Sequence, residues 1–289
     1  MIDCDLLILG VNGLLGNTLF KYFNELDNLK TYGFLRNKER LIKKCKYFNN
    51  TRIIEKNVIE SDNLFLLLNE YKPKIVINCL GIVKQNPLSN DSQNSIKVNS
   101  LFPHILYKCC QKLNSRLIHF STDCIFSGIK GSYRESDTSD ANDIYGRSKY
   151  LGEIYGSNAI TLRTSFIGNE IVTNRALVNW FLSQTGTIKG YKKAIYSGLT
   201  TLEIARVLNK YVIPNHSLEG LYHLSSFKID KYTLLNLLKD IYSKKIDIEE
   251  DSDYVIDRSL NSDKFKLKTG YEPIEWIKAI EEMKEFGEV

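Results

Sequence analysis

Tyr145 and Lys149 are the residues whose types and spacing are best suited to proton transfer. On a helix, residues four positions apart share one face, so the phenol and the ammonium can point into one cleft. A free phenol has a pKa near 10, and a neighbouring cation lowers that pKa. Thr122 lies about twenty residues earlier, at the end of a predicted strand, and supplies a hydroxyl for a substrate oxygen. The spacing predicts one catalytic site built from Thr122, Tyr145 and Lys149.

A glycine-rich turn near the N-terminus predicts where a dinucleotide binds. The segment GVNGLLG, from Gly10 to Gly16, follows the apolar run Leu6–Leu9 and precedes apolar residues at helical spacing. Here Gly10 allows a sharp turn, Gly13 lets the backbone approach a pyrophosphate, and Gly16 lets the helix pack closely on the strand. The free N–H groups at the start of the helix attract phosphate.

The end of the second predicted strand distinguishes NADP from NAD. An NAD site places a carboxylate there to hold the ribose 2′-hydroxyl. This chain has Arg36 and Lys38 instead, with no acid before Glu39. The planar guanidinium of Arg36 can hold a 2′-phosphate. The pattern therefore favours NADPH, leaves NADH open, and does not decide whether magnesium is required.

The elements that position these residues alternate between strand and helix. Strand, helix, strand at this spacing indicates right-handed crossovers and a parallel sheet. The sequence predicts an α/β fold, a Rossmann-type doubly wound parallel sheet with a smaller C-terminal mixed α/β substrate lobe. We expect residues 1–160 to form the NADP-binding domain and residues 161–289 mainly the lobe, with some segments returning to the core. The predicted strands are 6–9, 31–35, 52–54, 74–79, 116–120, 159–163 and 221–224, and the predicted helices include 64–71, 95–113, 145–155, 175–184, 201–212, 230–242 and 275–286.

Composition narrows the range of partners. The net charge of +5 is mild and the basic clusters are short, so we expect no nucleic acid partner. No apolar run approaches the length that a bilayer needs, and the N-terminus has no signal-peptide pattern. We therefore expect a cytoplasmic enzyme with no membrane partner, and leave a homodimer open. The six cysteines show no metal-ligand spacing, so no metal site is predicted.

Several motifs of this sequence also occur together in one enzyme family. With these motifs the chain resembles the extended short-chain dehydrogenase/reductases, specifically the dTDP-4-dehydrorhamnose reductase family, over nearly its whole length. The motifs are GVNGLLG at 10–16, NCLGIV at 78–83, VN at 98–99, STDCIFSG at 121–128, YGRSKYLGE at 145–153, LRTSFIG at 162–168, LYHLSS at 221–226 and DRSLNSDKF at 257–265.

The resemblance implies a reaction and a set of contacts. NADPH would deliver a hydride to C4 of a nucleotide-activated 4-keto-6-deoxyhexose, giving an activated 6-deoxy sugar such as L-rhamnose. Tyr145 would protonate the alkoxide, Lys149 would tune Tyr145, and Thr122 would steady the oxygen. We expect the nucleoside-diphosphate sugar to contact Lys84, Asp123 and Arg258, with Lys264 a further candidate for its diphosphate. The expected cofactor contacts are Gly10, Asn12, Gly13, Leu14, Leu15, Gly16, Arg36, Asn57, Val58, Cys79, Leu80, Gly81, Asn99, Tyr145 and Lys149.

Cys124 leaves a second activity open. It lies two residues after Thr122, which on a strand end places both side chains on one side. In similar bifunctional enzymes a cysteine at this position acts in epimerisation, and a thiol of lowered pKa can remove a proton beside a ketone. Cys124 is therefore a candidate for 3,5-epimerisation on a UDP- or dTDP-linked 4-keto-6-deoxyglucose, with Lys84 as the partner acid. The alternative is a thiol that only lines the pocket.

Two further functions are compatible with the resemblance. One is a non-catalytic regulatory subunit similar to the β subunit of methionine adenosyltransferase, although a binding protein need not keep Thr122, Tyr145 and Lys149 together. The other is a dehydratase or 4-epimerase of the wider family. A dehydratase usually carries an acid pair after the catalytic threonine, whereas here Asp123 is followed by Cys124.

Overall fold

Short runs of buried residues form a central parallel sheet. The computed structural model describes residues 2–43, 45, 50–61, 63–84, 91–171 and 174–287. Its central strands are β1 (Leu6–Leu9), β2 (Thr31–Leu35), β3 (Ile53–Glu55), β4 (Ile75–Asn78), β5 (Arg116–Ser121), β6 (Ala159–Arg163) and β10 (Gly220–His223). They lie in the order β10-β6-β5-β4-β1-β2-β3 and all pair in parallel. The predicted doubly wound Rossmann-type sheet is confirmed.

The order of the strands reverses between β1 and β4, and ligands bind at such a switch point in this class of fold. Leu9 pairs with Asn78, and Asn78 pairs with His119. The carboxyl ends of β1, β4 and β5 therefore lie side by side. The glycine-rich turn comes directly after β1 and Thr122 comes directly after β5, so both lie at this edge of the sheet.

Helices cover both faces of the sheet and bury two apolar clusters. Leu15, Leu19 and Phe20 on one helix belong to the cluster on one face, and Leu68 and Leu106 belong to the cluster on the other. The helices are α1 (Leu14–Asn24), α2 (Lys38–Ile42), α3 (Leu64–Tyr71), α4 (Ser92–Ser95), α5 (Phe102–Leu113), α6 (Ile144–Leu151), α7 (Leu177–Ser183), α8 (Thr201–Val207), α9 (Lys231–Ile241), α10 (Asp263–Thr269) and α11 (Trp276–Gly287), with wider π-helical turns at Ile96–Leu101 and Leu208–Val212.

A second, three-stranded sheet lies in the C-terminal half. It contains β8 (Thr187–Tyr196), β11 (Ile229–Asp230) and β12 (Asp247–Asp257), in the order β11-β8-β12. Helix α9 packs on β8, and their apolar side chains form a separate core with α7 and α11. A short pair, β7 (Phe166–Ile167) with β9 (Leu199–Thr200), completes the strands of the described chain. None of the described helices is long and apolar enough to cross a membrane.

Two local predictions differ from the structure. The helix that carries Tyr145 ends at Leu151 and not near Tyr155, because Gly152, a poor helix former, stands at its C-cap. Strands β8 and β12 were not predicted. The sequence of β12, DIEEDSDYVID, is largely charged, and lysines interrupt the apolar residues of β8, TIKGYKKAIY, so no clean apolar alternation marks either strand.

Candidate active site

Helix α6 and the end of β5 bring the predicted catalytic residues together. Thr122 directly follows β5 and its hydroxyl accepts a hydrogen bond from the backbone N–H of Cys124 at 3.2 Å. Helix α6 begins at an N-cap, Asp143, whose carboxylate accepts from the backbone N–H of Gly146 at 2.8 Å. A Cβ on Gly146 would lie 2.3 Å from the carbonyl oxygen of Cys124. Glycine at this position therefore lets α6 dock against the turn after β5, which places Tyr145 within hydrogen-bonding reach of Thr122.

Burial determines the protonation state of Tyr145. It raises the pKa of the phenol well above its usual range, and the nearby Cys124 and Asp123 raise it further, while the hydrogen bond with Thr122 lowers it. The expectation that a neighbouring cation lowers this pKa is wrong for this structure, because desolvation dominates. A phenol that stays neutral at physiological pH is suited to donating a proton.

The ammonium of Lys149 is almost completely buried. Its Nζ donates a hydrogen bond to the carbonyl oxygen of Phe120 at 2.6 Å. Burial lowers the pKa of Lys149 to about 8, and the nearby Glu153 and Cys79 act in the opposite direction. The interaction with Cys79 places Lys149 beside the loop that follows β4.

A buried ion pair lies behind Lys149, and sequence reasoning assigned it no role. Arg163 at the end of β6 holds Glu153 through Nε–Oε1 and Nη2–Oε2 hydrogen bonds, both 2.8 Å long. The Glu153 carboxylate also accepts from Ser121 at 2.6 Å and from Tyr155 at 2.5 Å. Glu153 thereby ties the segment after α6 to β5 and β6, the two strands beside the catalytic residues.

The glycine-rich turn has the geometry of a phosphate cradle. Gly10 adopts φ +87°, which L side chains rarely adopt, and a Cβ on Gly16 would lie 2.2 Å from the carbonyl oxygen of Gly10. Gly13 is the N-cap of α1 and offers no side chain to its first turn. Asn12 is exposed at the turn, while Leu15 is buried beneath it. The first-turn N–H groups of a helix lack partners within the helix, so the start of α1 can offer donors to a pyrophosphate.

Arg36 and Lys38, the two candidates for a 2′-phosphate contact, differ in their surroundings at the ends of β2 and β3. Arg36 is exposed and forms no hydrogen bond or ion pair with the described residues. Lys38 is instead tied to the backbone, because its Nζ donates to the carbonyl oxygens of Asn50 and Ile53 at 2.9 and 2.7 Å. Arg36 is therefore the cation available for a 2′-phosphate.

Asn57 and Val58, predicted to contact the adenine, follow β3 at its carboxyl end. Val58 is buried, and the Nδ2 of Asn57 donates to Glu60 at 2.8 Å. The buried Oδ1 of Asn57 has no hydrogen-bond partner within the described part of the chain. A buried acceptor without a partner can accept a hydrogen bond from an amino group of a bound base.

The loop after β4 borders the glycine-rich turn. The side chain of Leu80 occupies the space where a Cβ on Gly10 would lie, 2.9 Å away, and Gly81 is exposed. Asn99, expected to contact the cofactor, is fully engaged elsewhere. Its Oδ1 accepts from the backbone N–H of Ile82 at 2.9 Å, and its Nδ2 donates to the carbonyl of Ile82 and to the hydroxyl of Ser148. Asn99 thus fixes this loop against α6.

Cys124 and Arg258 lie side by side at the turn that follows Thr122. Arg258 Nη1 lies 3.7 Å from Cys124 Sγ, and its Nε donates to the carbonyl oxygen of Phe126 at 2.9 Å. Burial raises the pKa of the Cys124 thiol to about 12; Asp123 raises it further, whereas Arg258 lowers it. Asp123 is buried and accepts from the hydroxyls of Thr122 and Ser165.

Lys84 and Lys264, two predicted substrate contacts, each bind within the protein. Lys84 forms an ion pair with Asp143 at 2.9 Å, at the start of α6, and Asp143 is near enough to Tyr145 and Arg258 for its charge to act on both. Lys264 donates to the carbonyl oxygen of Leu221 at 2.7 Å and packs over the ring of Tyr222. The structure gives Lys264 a packing role in place of the expected diphosphate contact.

Two lobe residues that the sequence did not indicate lie beside the same turn. Burial lowers the pKa of Lys231, whereas Asp123 and Cys124 are near enough to raise it. Burial raises the pKa of Tyr196, and the same two groups contribute. Tyr196 ends β8, whose apolar residues are interrupted by lysines, and Lys231 follows the two-residue strand β11, so no sequence pattern marked either residue.

Comparison with known proteins places this geometry in a family. The family model described as RmlD substrate binding domain matches residues 4–233. The dTDP-4-dehydrorhamnose reductase of Aggregatibacter actinomycetemcomitans is 24% identical over 259 residues, which cover 81% of this chain and 88% of that protein. Methionine adenosyltransferase 2 subunit beta of Bos taurus is 24% identical over 148 residues, 51% of this chain and 41% of that protein.

Solved structures show the same fold. The crystal structure of dTDP-4-dehydrorhamnose reductase from Bacillus anthracis in complex with NADP has a TM-score of 0.80 and 20% sequence identity. The superposition covers 100% of this chain and 99% of that chain. The likeness extends over the central sheet and the C-terminal lobe alike.

Proposed function

We propose a function from the premise that this chain belongs to the RmlD substrate-binding domain family. The proposed activity is reduction, by NADPH, of the 4-keto group of a nucleotide-activated 4-keto-6-deoxyhexose. The product is an activated 6-deoxy sugar such as L-rhamnose. The similarity to named dTDP-4-dehydrorhamnose reductases along most of the chain supports this substrate class.

One observation carries the proposal. Thr122 and Tyr145 lie within hydrogen-bonding reach of each other at the end of β5. Lys149 lies beside Cys79, and the loop that follows Cys79 packs against Gly10 of the cradle. The proton-transfer groups and the cofactor cradle therefore lie on neighbouring segments at one edge of the sheet, which supports a shared site. Arg36, the available cation at the end of β2, supports NADPH over NADH.

The residues of the chain divide the reaction between them. Bound NADPH would supply the hydride. The hydroxyl of Thr122 turns its one proton from Asp123 to the carbonyl oxygen, and neutral Tyr145 gives that oxygen its phenolic proton as the alkoxide forms. The charge of Lys149 stabilises the phenolate that remains. Tyr145 regains its proton from solvent before the next turnover.

The test is direct turnover. Purified protein is mixed with NADPH and either dTDP- or UDP-4-keto-6-deoxyglucose, with and without a separate 3,5-epimerase, while absorbance at 340 nm and product stereochemistry are followed. Tyr145→Phe is expected to lower kcat by about 10²- to 10⁴-fold, the usual contribution of a positioned acid, with NADPH binding nearly unchanged. Tyr150→Phe, on the exposed side of the same helix, is the matched control. If no keto-sugar nucleotide oxidises NADPH, the proposal fails.

Epimerisation through Cys124 has weaker support. The 3.7 Å approach of Arg258 places the thiol at the site, but burial raises its pKa to about 12, so little thiolate is present near neutral pH. The expected partner acid, Lys84, is paired with Asp143. Conversion without a separate epimerase that is lost in Cys124→Ser would establish the bifunctional enzyme.

A regulatory role without catalysis also has weaker support. The similarity to methionine adenosyltransferase 2 subunit beta covers about half of this chain. Thr122, Tyr145 and Lys149 are all present and lie around one cleft, which a binding subunit does not need.

A further inference from the structure

One face of the lobe sheet presents two polar side chains near Cys124. Ile256 of β12 pairs with Ala194 of β8. Paired residues of parallel strands project to the same face, and so do residues two positions apart along a strand. Tyr196 and Arg258 therefore share this face, at the end of the sheet that meets the catalytic turn. The 3.7 Å distance from Arg258 Nη1 to Cys124 Sγ agrees with that placement.

Lys231 reaches the same place from the neighbouring strand. Ile229 of β11 pairs with Tyr196, and Lys231 follows two residues later as the first residue of α9. Its side chain is half-buried. Asp123 and Cys124 lie near enough for their charges to act on it. Three lobe residues thus surround the turn that follows Thr122.

The charges around this turn do not balance. Lys231 and Arg258 bring two cations, whereas Asp123 brings one carboxylate whose oxygens already accept from two hydroxyls. A second carboxylate, Asp143, is near enough to act on Arg258 but is paired with Lys84, so one positive charge remains in excess. Within the described ranges, neither Lys231 nor Arg258 forms an ion pair with a carboxylate. The buried hydroxyl of Tyr196 makes no well-aligned hydrogen bond within the described ranges, although Ser165 lies near enough to lower its pKa. An anionic ligand with acceptor oxygens would satisfy all three side chains.

We propose that Lys231 binds the sugar-proximal phosphate of a nucleoside-diphosphate sugar, with Arg258 and the Tyr196 hydroxyl completing the site. This inference rests on the proposed function, which gives the ligand its diphosphate. Thr122 holds the oxygen on C4, and the phosphate is attached at C1, across the same sugar ring. Lys231 and Arg258, next to the turn after Thr122, are therefore within one sugar ring of the sugar-proximal phosphate. Lys231 is the new assignment. Through Lys231 the lobe distinguishes a nucleoside diphosphate from a nucleoside monophosphate.

The test measures binding without catalysis. Titration calorimetry with dTDP, UDP and GDP, and with dTMP, UMP and GMP, gives the preference of the protein for diphosphate over monophosphate. Lys231→Met is expected to reduce that preference about tenfold or more, the usual effect of losing a charged hydrogen-bond donor. Lys231→Arg keeps the charge and is expected to retain the preference. Lys228→Met, an exposed lysine in the preceding loop, is the matched control.

The outcomes separate the two proposals. If the wild type prefers a diphosphate and Lys231→Met keeps that preference in full, the assignment of Lys231 is wrong while the proposed function stands. If the wild type binds none of the nucleotides, both proposals fail. Thermal unfolding establishes that each variant is folded, and Lys231→Gln replaces Lys231→Met if the latter is not.

Discussion

Burial acts in opposite directions on the two ionisable groups of the proposed proton-transfer pair. It raises the pKa of Tyr145, which keeps the phenol neutral, and lowers the pKa of Lys149 to about 8. Near pH 7 the site therefore holds a protonated donor beside a cation. This is the protonation state that reduction of a ketone needs, since the oxygen must gain a proton.

The titration of Lys149 predicts the alkaline limb of the pH profile. Because its pKa is lowered to about 8, Lys149 loses its charge as the pH rises through that value, while Tyr145 keeps its proton. We expect kcat at saturating substrate to fall about tenfold per pH unit above pH 8. Lys149→Arg, whose charge does not titrate, should move the limb to higher pH. A kcat that is constant from pH 7 to pH 10 contradicts this assignment.

Arg36 predicts the preference for NADPH. Arg36→Ala is expected to raise the KM for NADPH by about tenfold or more and to leave the KM for NADH unchanged, because a charge-assisted contact to the 2′-phosphate is lost. Lys38→Ala also removes one positive charge near the end of β2, but the side chain of Lys38 is already bound to backbone carbonyls. We therefore expect the ratio of the KM for NADPH to the KM for NADH to stay unchanged in Lys38→Ala. Equal effects of the two variants on that ratio would show that only net charge matters.

At the scale of elements, α6 is held at both ends. The Asp143 carboxylate caps its first turn, and Gly146 allows close docking on the turn after β5. Beyond its C-terminus, Glu153 is bound by Arg163 of β6 and Ser121 of β5. The helix is thereby fixed against the two strands whose ends carry the site.

Glu153→Gln tests this anchoring. The side chains of Arg163 and Glu153 are 3% and 0% exposed, so the variant leaves a buried guanidinium without its counter-ion. We expect the free energy of unfolding to fall by about 3–5 kcal/mol in urea denaturation. Asp251→Asn removes a partner of Lys189, whose side chain is 66% exposed, and should cost no more than about 1 kcal/mol. Similar losses in both variants would rule out a special role for the buried pair.

At the scale of the whole molecule, the central sheet draws strands from both halves of the chain. β6 pairs with β5, and β10 pairs with β6. The buried guanidinium of Arg116 in β5 donates to the carbonyl oxygens of Val212 and Leu218, at 2.5 and 2.8 Å. Residues far along the sequence therefore complete the sheet that carries the cofactor cradle.

This topology predicts that residues 1–160 do not fold alone. The fragment loses β10, most of β6 and both acceptors of Arg116, which leaves a buried cation without hydrogen bonds. We expect circular dichroism to show no cooperative thermal transition for the fragment, whereas the full chain shows one. A fragment with the melting temperature of the full chain would contradict the prediction and support an independent cofactor domain.

The sequence by itself determined the features of this protein that depend on residues close together along the chain. The cradle from Gly10 to Gly16 could be predicted because its three glycines lie within one turn of the chain. Helix α6 could be predicted because Tyr145 and Lys149 are spaced to share one helix face. The strands of the first half were predicted because parallel strands buried on both faces are continuous apolar runs. The family resemblance rests on the same local motifs.

Only the tertiary structure decided the electrostatics of the site. The pKa of Tyr145 was expected to fall and instead rises, because desolvation depends on how α6 docks against β5. Lys231 lies near enough to Cys124 for their charges to interact, although more than a hundred residues separate them in sequence, because the two-residue strand β11 pairs with β8. Burial and pairing between distant segments leave no local pattern, so these features had to be read from the fold.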